Sequence, residues 1–364
     1  MKKATGRSVV THTAPAHIDT GITGTRQPDG PAQRTKQPCS VGYSGKQLIL
    51  ETKSYAQEDR LRSWWEFLSG LMLFLLCTAC TFLPVPWVVK LAISLISGLL
   101  MVRVFVIYHD HQHHAILDHS RLADTLMQCV GLLSLAPSSI WKKSHNHHHS
   151  HNSKLLSAHI GSYPIMTHER YKRADTRERL TYLFMRHPLN IACGYLTTFI
   201  FGMCLLPFLR SPREHRDGLL ALVLHFCIAV TLLYFGGISA LLFALIIPMT
   251  LATALGSYLF YAQHNFPTVV HTDNGDWTYH GAALQASSYM RMPKLMHWFT
   301  GNIGYHHVHH LNAKIPFYRL PEAMRAMPEL QKPKTTSLHP AEVLRCLRLK
   351  VWDVQRGCMV PLST

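Results

Sequence analysis

Long uncharged runs rich in Leu, Ile, Val and Phe recur between Phe67 and Ala262, while the chain on either side is polar and broken by Gly, Pro and charge. Phe67 to Leu83 and Trp87 to Tyr108 each have the length of a membrane-spanning helix. Only Pro84, Val85 and Pro86 separate them, which predicts a tight hairpin whose outer ends face the same way. Trp64 and Trp65 stand just ahead of the first run, where amphipathic rings settle at a membrane interface. Lys90 and Arg103 lie near the ends of the second run, where long basic side chains are expected to snorkel to the headgroups. Leu122 to Pro137 is a weaker run, about 15 residues against the roughly 20 needed to cross, and predicts a re-entrant or interfacial helix. Three more apolar runs follow, Ile191 to Leu209, Leu219 to Phe235 and Ile238 to Ala262.

Histidine decides how many of these runs cross. The chain has 26 His, half of them crowded into three short stretches. The first, His109-Asp110-His111-Gln112-His113-His114, continues the second apolar run. Positions i and i+4 share one face of a helix, so His109 and His113 aim at one point, with His114 beside them. The second stretch runs from His145 to His151 and holds an H-x-x-H-H pattern at His145, His148 and His149; the third repeats it at His306, His309 and His310. Three facing segments with two or three imidazoles each supply about eight nitrogen ligands, enough for two metal ions. They meet only if all three lie on one side of the membrane. Arg210, Arg213 and Arg216 mark their loop as cytoplasmic, so Ile191 to Leu209 should not cross and the last two runs should form a second hairpin.

The expectation is an all-α membrane protein: four transmembrane helices in two hairpins, interfacial helices, and a cytoplasmic helical cap carrying the metal site. Residues 1–60 contain no apolar stretch of signal-peptide length and no sustained periodicity and read as a disordered cytoplasmic tail; 61–330 form the membrane-embedded domain and 331–364 a cytoplasmic C-terminal segment.

Composition removes competing classes. Apolar residues make up 48% of the chain and charged residues only 15%, where soluble domains have about a quarter. The net charge of +16 comes from Lys and Arg scattered over ends and loops with no block of like charge, which suits anionic lipid better than nucleic acid. Most of the nine Cys, among them Cys77, Cys129, Cys204 and Cys227, sit in apolar runs and read as small core residues, not disulfides. A metal transporter would need polar ligands inside its spans. The spans offer almost none except His225, which reads as a packed or hydrogen-bonded core residue.

Imidazole alone does not choose among Fe, Zn, Cu and Ni. No Glu is followed three residues later by His, so the Glu-x-x-His pairs of di-iron bundles are missing. Neutral ligands would leave two cations highly charged, as oxygen activation requires.

The three boxes, in this order and separated by paired apolar spans, resemble the integral-membrane fatty acid desaturase and hydroxylase superfamily. Ser287 to Leu295, followed by Trp298 to Tyr305 and the third box, is similar to bacterial acyl-lipid desaturases. Trp141-Lys142-Lys143-Ser144-His145 and Tyr261-Ala262-Gln263-His264 also resemble plant acyl-lipid desaturases that act at the twelfth carbon. The resemblance covers roughly Trp64 to Met327.

It implies an O2-dependent enzyme with two non-haem iron ions that takes two electrons from a ferredoxin-like or cytochrome b5-like carrier and desaturates a lipid-linked acyl chain. Carried over residue by residue, it implies His109, His113, His114, His145, His148, His149, His306, His309 and His310 as ligands, with His264 as a further one. His111, His147, His151 and His307 are surplus to the pattern, and Asn302 would hold a water near one iron. Pro267 and Gly304 depart from the family, which bears on where the double bond goes. Neither His187-Pro188 nor His339-Pro340 is followed by the two glycines of a fused haem module, so the electron carrier must be a separate protein. The implied location is a bacterial cytoplasmic membrane, with the site on the cytoplasmic face. Within the same architecture a lipid or carotenoid hydroxylase or ketolase is the nearest alternative, and a divalent-metal transporter or metal-binding membrane protein the more distant one.

Overall fold

The computed structural model describes residues 45–155, 161–272 and 275–362. The expected disordered tail therefore lies mostly outside the described residues, but its last part is folded: Gly45–Glu51 is helical, with Leu48 buried. Helix α1 (Arg60–Cys80) and helix α2 (Trp87–Gln112) form the first hairpin. Asp59 caps α1 by accepting from Arg62 N, and Pro86 ends the turn at a helix start, where its missing N–H costs nothing. Helices α3 (Arg121–Leu133), α4 (Ser138–His151) and α5 (Tyr195–Arg210) follow. Helix α3 buries Ala123, Met127 and Val130, at i, i+4 and i+7, and exposes Leu122 and Leu133.

Arg216–His264 is apolar over 49 residues, more than twice the length that crosses a bilayer. It breaks at Gly237, whose φ of 66° and ψ of −169° only glycine adopts without strain. We divide it into α6 (Arg216–Leu241) and α7 (Ile247–His264). At the start of α6, Asp217 Oδ2 accepts from Ser139 N (2.9 Å), beside the second histidine stretch. Gly236, near the other end, faces the Phe82 ring of the first hairpin's turn. The chain thus runs away from the histidines along α6 and back along α7, a second hairpin set beside the first. Helices α2 and α7 pack closely and run parallel: Ser94 Oγ donates to Phe243 O (2.6 Å), and a Cβ on Gly98 would come within 2.9 Å of Pro248 O. Both carry histidine in their last turn.

Large apolar side chains point outward along these helices, among them Met72, Leu75, Leu76, Phe226, Tyr234 and Phe235. A soluble protein would not expose so continuous an apolar surface. The chain is mostly helical, with several helices long and apolar enough to cross a membrane.

Two findings correct the sequence reading. Arg103 does not snorkel: it is 2% exposed, forms an ion pair with Glu66 of α1, donates to Trp298 O and lies 4.1 Å above the Trp298 ring. The fold is also not purely helical. Strands β1 (Tyr289–Arg291) and β2 (Thr335–Ser337) pair in parallel, and β3 (Val351–Asp353) and β4 (Cys358–Val360) form a hairpin. Segments of three residues are too short to reveal a period of two.

Candidate metal centre

Four elements deliver histidines to one end of the α2–α7 pair. Helix α2 brings His109 in its last turn and His113 at its C-cap, one above the other with ring centroids 4.7 Å apart. Helix α4 brings His145, His148 and His149, α7 brings His264 as its last residue, and α8 (His306–Leu311) brings His306, His309 and His310. These side chains sort into two groups, His109, His113, His145, His149 and His309 in one, His148, His264, His306 and His310 in the other. Within each group one nitrogen per residue lies within 4.8 Å of all the rest. The groups are neighbours, since His149 of the first stacks on His310 of the second at 4.2 Å.

The facing atoms are mainly Nε2. His145 Nε2 lies 3.0 Å from His109 Nε2 and 3.1 Å from His149 Nε2, and His309 Nε2 is 3.2 Å from His149 Nε2. In the second group His264 Nε2 is 3.0 Å from His148 Nε2 and 2.8 Å from His306 Nε2, and His310 Nε2 is 3.1 Å from His306 Nε2. A neutral imidazole carries one proton, and Nε2 atoms so clustered cannot all pair with one another. Adjacent ligands of an octahedral ion with metal–nitrogen bonds of roughly 2.1 Å stand about 3.0 Å apart. Both groups therefore have the donor type and spacing of a metal site.

The proton that Nε2 gives up must sit on Nδ1, and two of these contacts are visible. His109 Nδ1 donates to Asp110 Oδ1 (3.1 Å), whose Oδ2 accepts from Phe317 N (2.6 Å); His264 Nδ1 donates to Ala286 O (2.9 Å). Such outer contacts fix the tautomer and aim the ring. Burial holds His113, His145, His148, His149, His306, His309 and His310 well below the usual imidazole range, with neighbouring histidines adding to the effect. Neutral imidazoles are the form that binds metal. The indole of Trp141 covers the first group, stacked on His145 at 4.4 Å.

Of the ten histidines that the resemblance points to, nine fall in these groups and His114 does not. Helix α2 stops at Gln112 and the chain turns, putting His114 at a φ of 57° on the surface, where Nδ1 meets Asp118 (2.8 Å) and Nε2 meets Lys142 (3.1 Å). The surplus histidines are engaged elsewhere: His111 with Asp124 (3.2 Å), His147 stacked on His151 at 3.8 Å, and His307 with Leu330 O (3.1 Å). Asn302 gives its amide N–H to Phe317 O (3.2 Å). His225 is hydrogen-bonded to Tyr195 Oη, as a core residue should be. Asp110 and Trp141 are contributions the pattern alone did not single out, although each adjoins a box residue or lies one helical turn from it.

Residues 85–340 match the family described as fatty acid desaturase. The chain belongs to the fatty acid desaturase family. It is 31% identical over 326 residues to a fatty acid desaturase of Bacillus subtilis, covering 86% of this chain and 90% of that one. It is 26% identical to a Delta(12) fatty acid desaturase of Calendula officinalis, over 67% of this chain and 65% of the relative. A fatty acid conjugase from the same plant is 22% identical over 67% of each chain. Members of the desaturase family are O2-dependent oxidoreductases acting on acyl chains, and this chain is accordingly a membrane-associated enzyme of that class. Both histidine groups lie inside the matched region.

Proposed function

We propose that this desaturase holds two irons, one at His109, His113, His145, His149 and His309 and the other at His148, His264, His306 and His310, and there removes two hydrogens from a lipid-linked acyl chain. The carrying observation is the convergence of imidazole Nε2 atoms from four separate elements at 2.8 to 3.3 Å. When bound, the irons supply the capacity to use O2 and two electrons against an unactivated C–H bond. The balance is a CH2–CH2 unit, O2, two electrons and two protons giving a CH=CH unit and two waters.

The residues of the chain do the rest. Asp110 and the Ala286 carbonyl keep protons on the outer nitrogens of His109 and His264, so the inner nitrogens stay free. Trp141, Tyr108 and Phe105 pack together behind His109 and His145 and keep water from the site. Four crossings in two hairpins bring α2 and α7 to the cytoplasmic face of a bacterial inner membrane, and the Arg-rich loop before α6 stays on that side. A lipid acyl chain enters laterally and bends up into the site, because half the hydrocarbon core is about 15 Å deep. Electrons come from a separate acidic carrier, ferredoxin-like or cytochrome b5-like, attracted by the excess of Lys and Arg.

Fatty acid profiling by gas chromatography of cells with and without the expressed chain tests the reading. It predicts a new unsaturated acyl chain at the expense of its saturated parent. A hydroxylated, oxidised or unchanged profile would overturn it.

A further inference from the structure

Arg186 lies just after the short helix Thr176–Met185 and is completely buried. Among the described residues no carboxylate lies within ion-pair distance of it. Its fork goes instead to neutral oxygens. Nη1 donates to Pro164 O (2.9 Å), and Nη2 donates to Asn265 Oδ1 (2.6 Å), Tyr261 Oη (3.2 Å) and Leu349 O (3.2 Å). Burying a guanidinium without a counter-ion is expensive, and an apolar side chain of similar size would usually do as well for stability alone. The arrangement therefore asks for another reason.

Its targets supply one. Tyr261 and Asn265 stand three residues before and one residue after His264, at the end of α7, where backbone carbonyls are unpaired and a cation is favoured. Asn265 in turn donates from Nδ2 to Cys346 O (2.8 Å) and Leu349 O (3.4 Å), and Tyr261 Oη donates to Leu349 O (3.2 Å). The helix Pro340–Arg348 and Leu349 lie almost wholly beyond the family match, which ends at residue 340. One planar cation thus ties the helix end bearing His264 to both the Pro164 loop and the C-terminal segment. A lysine cannot reproduce that fork.

We propose that Arg186 is a positioning residue for the four-histidine group: with Asn265 and the carbonyls of Cys346 and Leu349 it fixes the end of α7 so that His264 Nε2 meets His148 and His306. This rests on reading the two histidine groups as metal sites. The five-histidine group takes no residue from α7.

The test is iron release from purified full-length protein to increasing EDTA, read as iron per chain, alongside thermal melting. Wild type retaining two irons checks the underlying reading separately; fewer would fault that reading and not the clamp. In Arg186→Met, one iron is expected to leave at a 10- to 100-fold lower EDTA concentration while the other keeps its wild-type profile. Tyr261→Phe, which removes one acceptor of the fork and the donor to Leu349 O, should shift the same iron by less, and Asn265→Asp, which keeps the acceptor but loses the Nδ2 donor to Cys346 O and Leu349 O, should likewise shift that iron and leave the other unchanged. If Arg186→Met does not purify, the last two variants decide alone. Wild-type profiles in both Arg186→Met and Tyr261→Phe, or parallel loss of both irons in step with a lower melting temperature, would overturn the proposal.

Discussion

His113 and His114 are adjacent in the sequence, and the structure gives them opposite surroundings. The His113 ring lies 4.6 Å from His149 and 5.0 Å from His309, inside the five-histidine group. The His114 side chain is 48% exposed and bonded to Asp118, itself 36% exposed. Exposed pairs of this kind contribute about 0.2–1 kcal/mol. Replacing His114 with Gln should therefore cost less than about 1 kcal/mol, at most a few degrees of melting temperature, and leave iron content and turnover within about twofold of wild type. Replacing His113 with Gln removes one of five converging nitrogens and offers only a weakly basic amide. Loss of an outer-shell contact alone costs 10- to 100-fold in affinity or activity, so loss of a direct ligand should exceed 100-fold, more than about 2.7 kcal/mol. Both variants would be expressed and purified side by side, with iron per chain and double-bond formation measured on the same preparations. Equal loss in the two, or retention in His113→Gln, would refute the assignment of the first box.

Asp110→Asn keeps the size of the side chain but weakens its grip on His109 Nδ1 and Phe317 N, and should release iron to a chelator about 10- to 100-fold more readily with little loss of folded protein. Glu66→Ala strands Arg103, which is 2% exposed, and should cost about 3–5 kcal/mol in thermal or denaturant unfolding, whereas Glu169→Ala at an exposed pair should cost under about 1 kcal/mol. The seven box histidines outside the spanning helices are held below the ordinary value of 6.5, so the unfolded chain binds more protons than the folded one once the pH falls under that value. Metal-free protein should keep its stability above about pH 6.5 and lose it progressively below, and melting curves rising with acidification would contradict this.

Much of the site was legible because its chemistry is local. The i, i+4 spacing of His109 and His113, and of the paired histidines in α4 and α8, survives in the folded chain because each segment is helical there. The hairpin turns were legible for the same reason, through Pro84 and Pro86 in one and the break between Phe235 and Ile238 in the other. What stayed hidden depended on distant partners. His114 fits the box pattern, yet α2 ends two residues earlier and turns it outward. Arg103 reads as a snorkelling residue until Glu66, 37 positions away, is seen against it. Arg186 meets Asn265 across 79 positions, and no local signal foretells a buried cation. The folded Gly45–Glu51 helix is likewise held by tertiary packing of Leu48 and not by its own periodicity.

The central claim is that nine histidines in a group of five and a group of four form two metal sites in one chain. Iron per chain in the purified wild-type protein, set beside His264→Ala and His109→Ala, tests it most directly. Two irons are expected in the wild type and, in each variant, weakened retention confined to one of the two. A single iron in the wild type, zinc alone, or full retention in both variants would contradict it.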